Sequence, residues 1–184
     1  MKLSMISNTV NGVTINTPVA DFTEEVLAGA ALLDEKVPGW LEKIELPDLK
    51  VSMPKSCVLG QVFTEKLLSL PESQYSTNGR TIPGRPGVYH SGYAVGSELL
   101  ELDVLDVERL GFYVGEHTGG QVVDFLREHN VRVGSVYDWA YEQLTYSWVA
   151  YVEARRAAEG VVVEEKLAPI THVSDIIANL AAQS

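Results

Sequence analysis

The sequence predicts an α+β protein with a mainly helical core and a small N-terminal β-hairpin. The strands are indicated by two segments that flank Asn11-Gly12, and the helices by apolar residues that recur every three or four positions through most of the later chain. With 184 residues, of which 46% are hydrophobic, the chain is long enough to bury one core. We therefore expect a single domain over residues 1–184.

The clearest strand signal lies in residues 1–20. Residues 4–10 and 13–19 flank Asn11-Gly12, which suits a type I′ hairpin turn because both central residues of that turn have positive φ. A lone hairpin is marginally stable, so we expect it to pack on the core or to pair with another strand. The β-branched run 160–163 is the natural partner within the chain, and a dimer partner or another protein is the alternative.

Residues 21–70 are predicted to be helical. Asp21 and Glu24 form a capping-box-like start, and the first helix ends before Pro38, which disfavours the α conformation in the residue that precedes it. One apolar stripe of this helix is expected to face the core. It consists of Phe22, Val26, Ala30, Leu33 and Val37.

Two shorter apolar segments follow the first helix. Trp40, Leu41 and Ile44 indicate one or two helical turns, which we expect to stop at Pro47. Residues 56–70 contain the next apolar segment, whose spacing fits a buried helix. A short buried strand is the alternative for that segment.

Residues 71–96 form a Gly/Pro-rich arm with no sustained period. The arm holds five glycines and three prolines, and a loop of this length is more often functional or disordered than neutral. Its cationic and aromatic side chains are the candidate binding residues for a partner protein or a small anion. They are Arg80, Arg85, Tyr89, His90 and Tyr93. A flexible surface loop without a ligand is the alternative interpretation, and the arm lacks the spacing of a nucleotide-binding loop.

Residues 97–160 are again predicted to be helical. Asp103 with Asp106 caps a short helix that Gly111 ends. The acidic residues in 98–108 do not have the spacing of a metal-binding loop, so a solvated acidic face is the favoured interpretation over a cation site.

Two longer helices complete this region. Thr118 with Gln121 forms a capping box for a helix that runs to about His129, and Asn130 is its expected stop. Ser135 begins the strongest helix of the chain, whose aromatic and aliphatic stripe we expect in the core. The stripe consists of Tyr137, Tyr141, Leu144, Trp148 and Tyr151 with Val152.

Composition limits the compartment and the partners. The net charge of −11 argues against nucleic-acid binding, where cationic side chains supply most of the affinity. No apolar run approaches the ~18 residues that span a bilayer, and no secretory signal is recognised, so we expect a cytoplasmic protein without membrane contact. Cys57, the only cysteine, agrees with a reducing compartment and is interpreted as a small buried hydrophobe rather than a nucleophile.

The sequence contains no catalytic or cofactor motif. The four histidines, His90, His117, His129 and His172, lie in different predicted segments without the spacing of a zinc site. We therefore assign no catalytic residue and expect neither a metal nor another cofactor.

Several short motifs form a recognisable series between about residues 28 and 156. They are Leu33-Asp34-Glu35, Pro38-Gly39-Trp40, Ile44, Leu49, Cys57-Val58-Leu59-Gly60-Gln61, Gly111-Phe112, Tyr141-x-x-Leu144-Thr145-x-x-Trp148 and Arg155-Arg156. The series resembles an uncharacterised family of small proteins from bacteriophages of Actinobacteria and from their hosts. This chain departs from it through its Gly/Pro-rich arm, an apparent insertion around 116–136 and longer ends. The resemblance implies a setting in the host cell, and it implies no activity.

These observations together predict a phage-type accessory protein that binds a host or phage protein without catalysis. Its candidate contact elements are the hairpin, the arm of residues 71–96 and a C-terminal helix predicted, after a strand, within residues 161–184. Self-association is a further expectation. The alternatives are an enzyme or small-ligand or anion binder with a site assembled around the arm, and a structural component of the virion.

Overall fold

The structure is a computed structural model that describes residues 1–53, 55–69 and 92–159. Its fold is α+β with a helical core, as the sequence predicts. In chain order the strands and helices are β1 (Lys2–Val10), β2 (Val13–Asp21), α1 (Thr23–Lys36), α2 (Val58–Val62), α3 (Thr64–Ser69), α4 (Gly92–Leu99), α5 (Val104–Arg109), α6 (Glu116–Glu128) and α7 (Val136–Ala158). Among the described residues, no helix is both long and apolar enough to cross a membrane.

The chain divides into two compact units. The first is Met1–Ala154, and of the second, Arg155–Ser184, only residues 155–159 are described. The strand and helix predicted within 161–184 lie outside the described residues. A single domain over the whole chain therefore stays a prediction.

The N-terminal hairpin is confirmed. β1 and β2 pair in antiparallel orientation along their whole length, and the turn residues Asn11 and Gly12 have φ values of 52° and 80°. Positive φ at both positions is what a type I′ turn requires. Within the described residues the sheet contains these two strands, and the partner run predicted at 160–163 lies outside them.

The start of α1 differs from the predicted capping box. Asp21 Oδ1 accepts hydrogen bonds from the Thr23 hydroxyl at 2.6 Å and from the Thr23 backbone N–H at 2.9 Å, while Phe22 occupies the N-cap position. Both bonds lower the pKa of the Asp21 carboxyl because they favour its charged form, and the bond from the hydroxyl has the larger effect. The predicted apolar stripe is confirmed. Its buried members are Phe22, Val26, Ala30 and Leu33, and Val37 is half-buried.

Both apolar segments predicted after α1 are helical, the second of them as α2 and α3, but Pro47 does not act as predicted. Trp40–Lys43 and Leu46–Asp48 are 3₁₀ turns, and Pro47 lies at the start of the second rather than ending the first. Proline is tolerated there because the first residues of a helical turn need no N–H donor. Cys57 is buried as expected, and its Sγ accepts a hydrogen bond from the Gly60 N–H at 3.2 Å, so that it also caps α2.

Trp148 of α7 lies at the centre of the core. Its side chain is fully buried, and its indole N–H donates to the Gly111 carbonyl at 2.6 Å. The ring stacks on Phe112 with 5.6 Å between centroids and meets Trp40 edge to face at 6.0 Å. Gly29 brings α1 against this cluster, since a Cβ there would collide with the backbone carbonyl that follows α5.

The predicted solvated acidic face before α6 is confirmed for Glu98, Glu101 and Asp103, which are exposed, and is wrong for Glu108. Glu108 is only 7% exposed, and its carboxylate accepts a hydrogen bond from the backbone N–H of Thr118. Thr118 lies in the first turn of α6, and Gly115 is the N-cap residue, so the predicted Thr118–Gln121 capping box is wrong. A carboxylate at this end of a helix also interacts favourably with the helix dipole.

The other caps of this region are confirmed. Asp103 accepts from the Asp106 N–H at 2.8 Å at the start of α5, and Ser135 Oγ accepts from the Asp138 N–H at 3.2 Å at the start of α7. Asn130 has φ 55° after α6, which agrees with its predicted role as a stop. The predicted α7 stripe is buried at Leu144, Trp148 and Val152 and half-buried at Tyr141 and Tyr151. It is wrong for Tyr137, which is 43% exposed.

Replacement of Trp148 by alanine should lower the free energy of unfolding by about 3–5 kcal/mol, because a fully buried aromatic side chain is removed from the centre of the core. Chemical denaturation measures this change. Glu153→Ala on the exposed side of α7 is the control and should change stability by less than about 0.5 kcal/mol. A loss below about 1 kcal/mol for the Trp148 variant would contradict this description of the core.

Replacement of Glu108 by alanine should cost about 1–3 kcal/mol, because it leaves the buried Thr118 N–H without an acceptor. Glu108→Gln keeps a carbonyl oxygen in place and should cost clearly less. Glu98→Ala, at an exposed acid of α4, serves as the control. Equal losses for the alanine and glutamine variants in the same denaturation experiment would show that the hydrogen bond is not what Glu108 contributes.

Candidate functional site

The residues predicted to bind a ligand or partner fall in the arm. Arg80, Arg85, Tyr89 and His90 lie outside the described residues, and Tyr93 is described only as helical backbone in α4. The arm therefore stays a predicted site, as does the small-ligand alternative that was built on it.

The two histidines of the described residues make local hydrogen-bonding contacts. His117 Nε2 lies 2.9 Å from the Gln121 side-chain nitrogen within α6, and Nδ1 of His129, the C-cap residue of that helix, lies 2.9 Å from the Phe125 carbonyl oxygen. Burial and then the hydrogen bond to Glu142 raise the pKa of Tyr146 to about 12, so this phenol keeps its proton at neutral pH. In the described part of the chain, no three His, Cys, Asp or Glu side chains lie close enough to hold a metal ion.

The motifs that carry the family resemblance build the core. Asp34 Oδ1 accepts from the Trp40 indole N–H at 2.8 Å, and Trp40 meets Trp148 edge to face. Thr145 Oγ1 accepts from the Val51 N–H at 3.1 Å, which attaches α7 to the loop that precedes α2. These residues of the motifs are therefore explained by packing and hydrogen bonding.

Gln61, another residue of these motifs, fixes the segment between α1 and α2. Its Oε1 accepts from the Glu45 N–H, and its Nε2 donates to the Glu45 carbonyl at 3.3 Å and to the Ser56 carbonyl at 3.1 Å. The residue is only 9% exposed. A buried amide that satisfies three backbone groups is a structural element, since those groups would otherwise be buried without partners.

The hairpin has two chemically different faces. On one face the register places Ser7 opposite Asn16 and Thr9 opposite Thr14. Their side chains are hydrogen-bonded across the strands at 2.6 Å and 3.0 Å, respectively. At the base of the same face Ala20 is buried in the core. Leu3 lies opposite Ala20 and also packs against the core. This face is therefore apolar at the base, where it meets the helical body, and polar towards the tip.

The opposite face of the hairpin exposes four β-branched apolar side chains. Val10 lies directly opposite Val13, and Ile6 and Ile15 lie on the same face because side chains alternate along a strand. Their exposed fractions are 47% for Ile6, 39% for Val10, 63% for Val13 and 38% for Ile15. We call these four residues the outward face. They lie close together on this face, where Asn8 is opposite Ile15 and Thr17 is opposite Ile6.

The hairpin is also electrically neutral within an acidic molecule. Residues 3–20 contain no charged side chain, while the whole chain has a net charge of −11. Lys2 and Asp21 at the base are the charged residues of the two strands. A contiguous apolar surface of this kind is typical of an interaction site rather than of an ordinary solvated face.

The sequence contained part of the signal for this face. Val13 and Ile15 alternate with Thr14 and Asn16, which indicates a strand with one apolar and one polar side. The pattern does not indicate which side faces the body. It predicts a hairpin that packs on the core or pairs with a further strand at 160–163, in a dimer or in another protein, and the pairing with 160–163 lies outside the described residues. In the structure the hairpin rests on the core at its base, and the apolar side remains exposed towards the tip.

Comparison with protein-family models, with curated proteins and with solved structures finds no match to this chain.

Proposed function

We propose that this protein is a phage-type accessory protein that works by binding another protein through the outward face of its hairpin, without catalysis. The observation that carries the proposal is the contiguous exposure of Ile6, Val10, Val13 and Ile15 on one side of the sheet. Single exposed apolar residues are ordinary on a protein surface, whereas a contiguous group of them favours an interface.

The arrangement of the two faces supports this proposal. A hairpin that only needed to be stable would place its apolar side chains on the helical body and its polar side chains in water. The base of the hairpin follows this rule, because Leu3 and Ala20 meet the body. Towards the tip the same side carries hydrogen-bonded Ser, Thr and Asn side chains, and the β-branched residues of the outward face lie on the opposite side. Burying the outward face against a partner would contribute about 25 cal/mol for each Å² of apolar surface removed from water.

The chemistry of the hairpin limits the kind of partner. The contact region of the partner should be apolar and uncharged, because residues 3–20 offer no charge with which to pair. Basic residues at the rim of the partner's surface would be attracted by the acidic body and would speed association. The partner is thus a protein surface with an apolar centre, and a nucleic acid does not fit.

The biological setting comes from the resemblance described above. Motifs such as Pro38-Gly39-Trp40 and Cys57-Val58-Leu59-Gly60-Gln61 resemble the phage and host family. They support a partner from the host or the phage inside an actinobacterial cell.

The double variant Val13→Thr with Ile15→Thr should abolish partner binding and leave the protein folded. Threonine is β-branched and keeps the strand propensity, but its hydroxyl makes the outward face polar. Affinity capture from an actinobacterial lysate, quantified by mass spectrometry, should recover a specific partner at least tenfold less well with this variant, which corresponds to about 1.4 kcal/mol of binding free energy.

The matched control for that experiment is Asn16→Thr, which changes the other face of the same strand. It should capture the partner as well as the unmodified protein does. Equal capture by the double variant and the unmodified protein would refute the outward face as the binding surface. Failure of the unmodified protein to capture any protein in stoichiometric amount would refute the proposed function itself.

A further inference from the structure

The outer edge of β1 is an unpaired strand edge in the described part of the sheet, because β1 pairs only with β2. Pro18 of β2 lacks an N–H and lies opposite Met5. Proline occurs in a strand at positions where an N–H would point away from the neighbouring strand. Met5 and Pro18 therefore form a pair that exchanges no hydrogen bonds between the two strands. Such pairs alternate with bonded pairs along an antiparallel ladder. The backbone groups of β1 that point outwards are therefore those of Leu3, Met5, Ser7 and Thr9.

This edge lacks the features by which proteins protect strand edges. Edges are usually blocked by charged side chains, by proline or by a bulge. Residues 3–10 of β1 contain no charge and no proline, and the register with β2 runs without a bulge over the full length of the strand. The edge of β2, in contrast, is interrupted at Pro18. β1 is consequently the strand that can accept another strand.

Only the part of β1 near the turn is accessible to an added strand. Towards the base Leu3 and Met5 are partly buried, and Leu3 packs against the core. Ile6, Ser7, Thr9 and Val10 are exposed, and Asn8 is half-buried. A strand added to this edge would therefore pair with residues 6–10, beyond the helical body.

We propose that the occupant of this edge is the same segment of a second copy of this chain. The two β1 strands pair in antiparallel orientation about a two-fold axis at Asn8, and the two hairpins form one four-stranded sheet. Along β1, residues whose backbone N–H and C=O groups point outwards alternate with residues whose groups point towards β2. In this register each residue lies opposite a residue of the same kind, as an antiparallel ladder requires. The interface is isologous, so each copy contributes the same residues.

The side chains of the segment are complementary to themselves in this register. Ile6 lies opposite Val10 of the second copy, Ser7 opposite its Thr9, and Asn8 opposite its Asn8. Apolar residues thus meet apolar residues, hydroxyls meet hydroxyls and amides meet amides, which are the pairings that stabilise neighbouring strands. No other segment of the partner chain is required.

Charge also favours this mode of self-association. Two chains with a net charge of −11 each repel one another over most of their surfaces. The proposed contact uses only residues from the uncharged stretch 3–20. It also converts a two-stranded hairpin, which is marginal alone, into a sheet of four strands.

The dimer leaves the outward face accessible. A two-fold axis perpendicular to the sheet places the outward faces of both copies on the same side, so that they form a wider apolar surface. The dimer does not require the partner proposed above, and the two ideas can fail independently. The contact is smaller than a standard interface of about 1,600 Å², so the dimer should depend on protein concentration.

The test is a site-directed disulfide at the two-fold axis. In a pair without ladder hydrogen bonds the Cα atoms are about 4.5 Å apart, which lies within the range that a disulfide spans. Asn8→Cys should therefore form a covalent dimer under mild oxidation, seen on a non-reducing gel. The natural Cys57 is only 2% exposed and should not compete. Asn16→Cys, an exposed position on the other strand and the other face, is the matched control.

Cross-linking of Asn8→Cys no faster than that of Asn16→Cys would overturn the proposal. A second measurement covers the case in which the cysteine variant fails to fold. Sedimentation of the unmodified protein should show a monomer–dimer equilibrium that Ser7→Pro shifts at least tenfold towards monomer, because proline removes an outward N–H that β2 does not use. Ser7→Ala should have little effect. The proposal would also be overturned if the unmodified protein remained monomeric up to about 1 mM, because a weaker dissociation constant would not indicate a specific contact.

Discussion

The hydrogen bond from the buried Trp148 indole to the Gly111 carbonyl is the interaction on which the remaining packing depends. It fixes the depth of α7 in the core and the path of the chain between α5 and α6. Gly111 has φ 67°, a backbone conformation that residues with a side chain rarely adopt. Phe112 stacks on the indole, and Trp40 and Tyr151 meet it edge to face. An unpaired indole N–H at this depth would be costly, so the bond and the packing stabilise each other.

This core explains how the hairpin can be anchored at its base and exposed at its tip. β2 passes directly into α1, where Phe22 and Val26 are buried and Gly29 lets the helix approach the Trp148 cluster. Ala20, near the end of β2, is buried in the same core. Towards the tip, cross-strand hydrogen bonds between polar side chains hold this face of the two strands together. The four β-branched residues of the outward face are exposed on the opposite side.

The elements that could be predicted from sequence are those with local signals. The Asn11-Gly12 turn, the Asp103 and Ser135 caps and the end of α1 each depend on the intrinsic preferences of a few neighbouring residues. The role of Glu108 could not be predicted, because its carboxylate caps a helix whose bonded N–H is ten residues away in sequence. The orientation of the hairpin could not be predicted either. Strand periodicity defines two faces but does not show which of them packs on the core. The binding residues predicted from the sequence are in the arm of residues 71–96, not in the hairpin.

Photo-cross-linking from the hairpin inside the host cell tests the central claim most directly, because it detects contact without relying on stability. A photoreactive amino acid replaces Val13 on the outward face or Thr14 on the polar face, two neighbouring and exposed positions of the same strand. The account predicts that position 13 forms a covalent adduct with one protein of the cell and that position 14 does not. Adducts of equal yield from both positions, or from position 14 alone, would contradict the assignment of the outward face as the binding surface.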